Sequence, residues 1–147
     1  MEEQREILKQ FRQQQEKYVY YIVALCVTSI GFSIIKTSGQ TIKWSQIPLA
    51  IAVISWSTSI YCGLTFLRYV ISSLYANKVY LDITQGLHPD FQTNPAIREA
   101  AADGVMSAIQ KNSNRTMQYS KWQNWLFYLG IILFIIWHVT EMYLTAV

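Results

Sequence analysis

Residues 44–67 read WSQIPLAIAVISWSTSIYCGLTFL and hold no charged side chain. A bilayer core about 30 Å thick takes roughly 20 mainly apolar residues of helix, so this run is long enough to cross one. Arg68 follows it at once. In lipid every backbone N–H and C=O must be satisfied internally, which a helix achieves and an irregular segment does not. Two more apolar runs, 18–35 and 122–143, are also long enough, the second with one charged residue, Glu141, near its far end. The expected fold class is therefore all-α: an integral membrane protein of three transmembrane helices with helical cytosolic extensions. Charged residues make up 14% of the chain, well below the roughly 25% of average soluble proteins, and they gather between the apolar runs.

The chain divides accordingly. Residues 1–17 are rich in Gln, Glu, Lys and Arg, good helix formers, and read as a cytosolic N-terminal helix rather than a signal peptide. Ile7, Leu8 and Phe11 give it a small apolar patch that Tyr18 extends. Residues 18–71 form a transmembrane hairpin with spans 18–35 and 46–67. Ser38-Gly39 marks the turn between them, and Pro48 sits where a helix start tolerates a missing N–H. Residues 72–121 are expected to be a cytosolic helical segment. The second helix is expected to continue out of the membrane as far as Gly86, a natural helix end. Asn94-Pro95 then starts a new helix, Asn as its cap and Pro in its first turn. That helix is expected to stop at Asn112-Ser113-Asn114. Residues 122–147 are the third span, bulky on nearly every side and suited to facing lipid.

Charge sets the expected orientation. Arg5, Lys9, Arg12 and Lys17 precede the first span, and Arg68, Lys78, Arg98, Lys111, Arg115 and Lys121 separate the second from the third. The first loop has only Lys36 and Lys43. The positive-inside rule puts the N-terminus in the cytosol and the C-terminus outside. The net charge of +3 is no nucleic-acid footprint, and none is expected as a partner.

Chemistry is scarce. The chain has two histidines and two cysteines and lacks a nucleophile elbow, a P-loop and paired-Cys or HExxH metal motifs. It is not expected to be an enzyme or to need a cofactor or metal. Cys26 and Cys62 read as small packing residues. His138 and Glu141, three apart on one face, read either as a proton-linked pair or as groups at a wet interface. Lys78, Arg98, Lys111 and Arg115 are candidate contacts for a cytosolic protein or small-molecule trigger, or simply a solvated face.

The informative pattern is a run of small polar residues. Ser55, Thr58, Ser59, Cys62 and Thr65 recur at helical spacing in the second span, and Ser29 and Ser33 do so in the first. Small residues let helices approach closely in lipid, and hydroxyls bond across the contact. The same residues can line a pore if hairpins assemble around an axis. In layout, a membrane hairpin flanked by cytosolic helices resembles the SLATT group of small bacterial membrane effectors. The expectation from the small-residue faces is a homo-oligomer that forms a pore or disrupts the membrane, and the resemblance implies membrane damage in antiviral defence, in a bacterial inner (plasma) membrane. Class I phage holins share the count of three spans, with the opposite expected orientation. The alternative is a non-conducting membrane anchor or adaptor that docks a protein through its cytosolic helices. Membrane lipid is a partner in every case.

Overall fold

In the computed structural model, which describes residues 2–41, 43–91 and 94–146, the chain is all-α. Three helices carry it: α1 (Glu2–Thr37), α2 (Ile47–Thr84) and α3 (Pro95–Ala146). Each is long and apolar enough to cross a membrane. The expected all-α class with three candidate transmembrane helices therefore holds. Met1 lies outside the described residues, as do the side chains of residues 2–5 and 8. Leu8 of the expected N-terminal apolar patch is among them, whereas Ile7 and Phe11 are exposed.

The punctuation follows local chemistry. Gly39 takes φ +78° just beyond α1, a left-handed conformation that costs glycine no steric strain. A 3-10 turn at Trp44–Gln46 leads into α2, and Pro48 occupies its first turn. At the other end of α2, Gly86 has φ +72°. Its N–H donates to the Ile83 carbonyl at 3.1 Å, and the Leu87 N–H donates to Asp82 at 2.8 Å. This is the Schellman arrangement, which satisfies carbonyls that the helix end leaves free. Asn94 caps α3: its Oδ1 accepts the Ala96 N–H at 3.0 Å.

One expectation fails. Asn112-Ser113-Asn114 does not end a helix, and α3 runs unbroken for 52 residues from Pro95 to Ala146. The third span is thus the distal part of a long helix rather than an element beginning at 122. Asn is only a few tenths of a kcal/mol worse than the best helix formers. It stops a helix only when its side chain captures backbone groups. Here those side chains are engaged elsewhere. Asn112 Nδ2 donates to Ser72 Oγ at 3.1 Å, and Gln110 Nε2 donates to Asn114 Oδ1 at 3.4 Å, one turn on. No Gly or Pro lies between Gly104 and Gly130 to interrupt the helix there.

The chain forms two compact units, Met1–Leu64 with Ser120–Val147, and Thr65–Tyr119. The first is a three-helix bundle. Ile22 and Cys26 of α1 and Ala52 and Trp56 of α2 form its buried cluster, with Phe127, Ile131 and Phe134 of α3 packed against it. In α2, 39% of the most apolar window is buried, against 22% in α1 and 11% in α3, so α2 is the central helix. Leu25, Ile34, Ile54, Ile132 and Ile136 are exposed around the bundle, an apolar belt too extensive for a water-facing monomer. The second unit is an antiparallel hairpin of α2 and α3. Its rungs are a Tyr69–Tyr119 ring stack at 5.6 Å and the Ser72–Asn112 bond, and Ile83 is buried in it.

The Asn94 cap can be tested directly. Asn94→Ala removes the acceptor for the Ala96 N–H and should cost about 1 kcal/mol, read as a lower melting temperature. Asn94→Asp should leave the melting temperature nearly unchanged.

Candidate functional site

Seven small residues of the first two spans are the candidates, and the bundle divides them. Ser33, Ser55, Ser59 and Cys62 are buried. Ser29 and Thr65 are half-buried, and Thr58 is exposed. The expected single stripe is therefore split between two faces of α2. Positions 55, 59 and 62 turn inward together with 52, 56, 63 and 66, whereas 54, 57, 58 and 61 point away from the core. Thr58 lies about 60° from Ser55 to one side and Ser59 about 40° to the other, so the two are about 100° apart around the helix.

The inward hydroxyls serve packing. Ser59 Oγ donates to the Gln123 carbonyl of α3 at 2.8 Å, fully buried, and its side chain also meets Cys26 of α1. Ser59 thus joins all three helices, whereas the sequence suggested contact with α1 alone. Ser33 donates to its own helix, to the Ser29 carbonyl at 2.8 Å. The outward hydroxyls also turn back on their own backbone. Ser57 donates to Val53 and Thr58 to Ile54, both at 2.8 Å. An exposed hydroxyl that bonds to the carbonyl four residues earlier presents little unpaired polarity to lipid.

Two glycines fix how α2 and α3 meet. A Cβ at Gly130 would lie 2.4 Å from Trp56 Nε1, and a Cβ at Gly63 would lie 2.5 Å from Gln123 Nε2. The Trp56 ring of α2 fills a notch in α3, and the Gln123 side chain of α3 fills a notch in α2. Trp56 and Gly63 are seven residues apart, and so are Gln123 and Gly130. The two notches therefore lock one antiparallel register. Neither the Trp56 Nε1–H nor Gln123 Nε2 has a hydrogen-bond partner, so both contacts are steric. The sequence alone reads the third span as bulky on nearly every side and does not single out Gly130, Gly63, Trp56 or Gln123. Two glycines set a heptad from large side chains are a usable signal once the helices are known to pair.

Near the loop end of the bundle, Ser45 Oγ donates to Glu141 Oε1 at 2.5 Å. Glu141 therefore turns to the start of α2, and His138 is exposed and faces the Phe134 and Trp137 rings. The structure does not bring the two together as a proton-linked pair. In the second unit Lys78, Lys111 and Arg115 are exposed and Arg98 is half-buried against Gly86. Arg98 and Arg115 are 17 residues apart on α3, about 25 Å along the helix. These four cations spread along the hairpin rather than converging in one pocket. No group of three His, Cys, Asp or Glu side chains among the described residues is placed to hold a metal ion.

Two openings lie on the bundle surface. A groove of about 430 Å³ runs along the α1–α2 seam, where Ser33 lines it. A second, of about 290 Å³, lies beside Ser29, Phe32, Trp56 and Phe134. Compared with protein family models, curated proteins and solved structures, the chain matches none.

The glycine notches predict an ordering. Gly130→Ala drives a methyl group into a rigid indole and should cost about 1–3 kcal/mol. Gly63→Ala meets the free end of a flexible Gln123 side chain and should cost less. Adding Trp56→Phe to Gly130→Ala should recover part of the loss. Thermal unfolding in detergent measures all three, and equal costs for the two glycines would remove the notch account.

Proposed function

We propose that this chain is the subunit of a homo-oligomeric membrane assembly that opens a pore in the bilayer or disrupts it. The supporting observation is the outward face of α2, where Ser57, Thr58 and Tyr61 lie exposed on the most buried of the three spans. Packing inside one subunit already consumes Ser55, Ser59 and Cys62, so an assembly has this outer face to work with. Hydroxyls bonded to their own helix are tolerable against lipid and can turn to water or to a neighbouring copy when subunits gather. The charge distribution supports a cytosolic N-terminus and an outer C-terminus, and the resemblance to SLATT-type effectors a bacterial inner membrane. The hairpin Thr65–Tyr119 then lies in the cytosol and receives the trigger, a protein or small molecule met in part by Lys78, Arg98, Lys111 and Arg115. The resemblance in layout to SLATT-type effectors supports antiviral defence as the setting.

A second reading has its own support. The hairpin Thr65–Tyr119 is a compact unit of its own, and it exposes Leu74, Tyr75, Ile97 and Met117. A membrane-anchored adaptor needs such a docking module and no conduction.

Cysteine crosslinking separates the readings. With Cys26 and Cys62 replaced by alanine, Thr58→Cys should give covalent dimers in membranes and Ile132→Cys should not. In planar bilayers Thr58→Trp should lower conductance several-fold, with Ile132→Trp close to the parent. A monomer that neither crosslinks nor conducts would instead favour the adaptor.

A further inference from the structure

The groove on the α1–α2 seam lies at the loop end of the bundle. Ile34, Leu49, Val53 and Ile54 give it apolar walls, and Ala50 keeps it open. Its polar lining is quiet, because Ser33 and Thr37 donate to the Ser29 and Ser33 carbonyls of their own helix. From Ile47 to Ile54 it follows eight residues of α2, about 12 Å, long enough for much of an acyl chain. Lys43 lines its mouth and forms no ion pair among the described residues. Gln46 donates its amide to Gln40 Oε1 at 3.2 Å and to the Thr41 carbonyl at 3.5 Å, which holds the loop beside the opening.

We infer that this groove binds one anionic phospholipid, with an acyl chain between α1 and α2 and the headgroup phosphate at Lys43. Charge decides between this occupant and a second copy of the chain. Of the nine acidic residues, eight precede the first span or fall between the second and third. The ninth, Glu141, is engaged by Ser45. Of these nine, a neighbour inserted in the same orientation therefore offers Lys43 only a Glu141 already held by its own Ser45, whereas a lipid phosphate lies at this level throughout the bilayer. The inference rests on membrane insertion and not on pore formation.

The test is native mass spectrometry of the delipidated full chain, titrated with phosphatidylglycerol or phosphatidylcholine of identical tails. A single lysine near a membrane surface contributes about 1 kcal/mol to anion binding, so phosphatidylglycerol should bind about fivefold tighter. Lys43→Ala should reduce the two affinities to near equality, and Lys43→Arg should restore the preference. Ala50→Trp, which fills the groove from an exposed position, should abolish tight binding of both lipids. Lys78→Ala, in the other unit, should change neither. Equal affinities in the parent chain, or a preference that survives Lys43→Ala, would overturn the inference. So would a lipid-free dimer that Ala50→Trp dissociates. The same spectra report subunit number, so a conducting oligomer without lipid preference, or a monomer with it, distinguishes this inference from the assembly reading. Melting temperatures of the variants verify that each is folded, and Lys43 lies in the exposed loop, where substitution leaves the helices untouched.

Discussion

Close steric contact between α2 and α3 at two glycines is the constraint on which the bundle depends. In water the burial of Trp56 alone would drive much of the association. In a bilayer lipid tails are as apolar as leucine, so apolar surface gains little by leaving them for another helix. What remains is van der Waals contact, strongest where surfaces interlock and lost quickly when a gap opens. Trp56 in the Gly130 notch and Gln123 in the Gly63 notch supply two such contacts a heptad apart. Sliding the helices by one turn would set each large side chain against a bulkier neighbour. Register is thus specified by shape at two points rather than by hydrophobicity, which is nearly uniform around these helices.

Polar groups inside the bundle follow the same logic. Ser59 bonds across to α3, where its hydroxyl replaces lipid contact with a buried hydrogen bond. Ser57 and Thr58, on the far side of the same helix, keep their hydroxyls on their own backbone. Identical residue types therefore perform different work depending on which side of α2 they occupy. A single turn of the helix decides it. The Ser45–Glu141 bond acts at the loop end, where it ties the entry to α2 to the far end of α3. A charged acceptor makes it one of the stronger bonds in the unit, and together with the notches it ties α3 to α2 at three levels.

The elements most legible in the sequence are those set by local backbone chemistry. Gly86 and Asn94 bracket the turn between α2 and α3 because their conformational freedom and capping groups act within a few residues. Long apolar runs mark the spans for the same reason, since a bilayer imposes their length directly. The expected stop at Asn112-Ser113-Asn114 fails because its outcome depends on distant partners. Whether Asn112 captures backbone or bonds Ser72, forty residues away, is a tertiary fact. The division of the small-residue stripe was illegible on similar grounds. Periodicity puts Ser55 and Ser59 together but does not say where the packed face ends, so it groups Thr58 with them. Glu141 was visible as an unusual acid near the end of a span, yet its partner lies 96 residues away.

The split stripe also bears on how such a subunit could act. If the inward hydroxyls lined a channel, the three-helix core would have to open, and both glycine notches would lose their contacts. That exchange is unfavourable unless neighbouring copies rebuild contacts of equal closeness. The outward face of α2 requires no such exchange. Thr58 and Ser57 are exposed while the core stays closed, and their hydroxyls need only rotate from a backbone carbonyl to water or to a neighbour. An assembly built through this face leaves each bundle intact and adds contacts between bundles. The same economy applies to the groove beside Lys43, which lies on the α1–α2 seam and stays accessible while the Trp56–Gly130 and Gln123–Gly63 contacts hold. Core packing and the outer surfaces are therefore separable, so substitutions at Thr58 or Lys43 can change what the protein does in the membrane without changing how its helices are held.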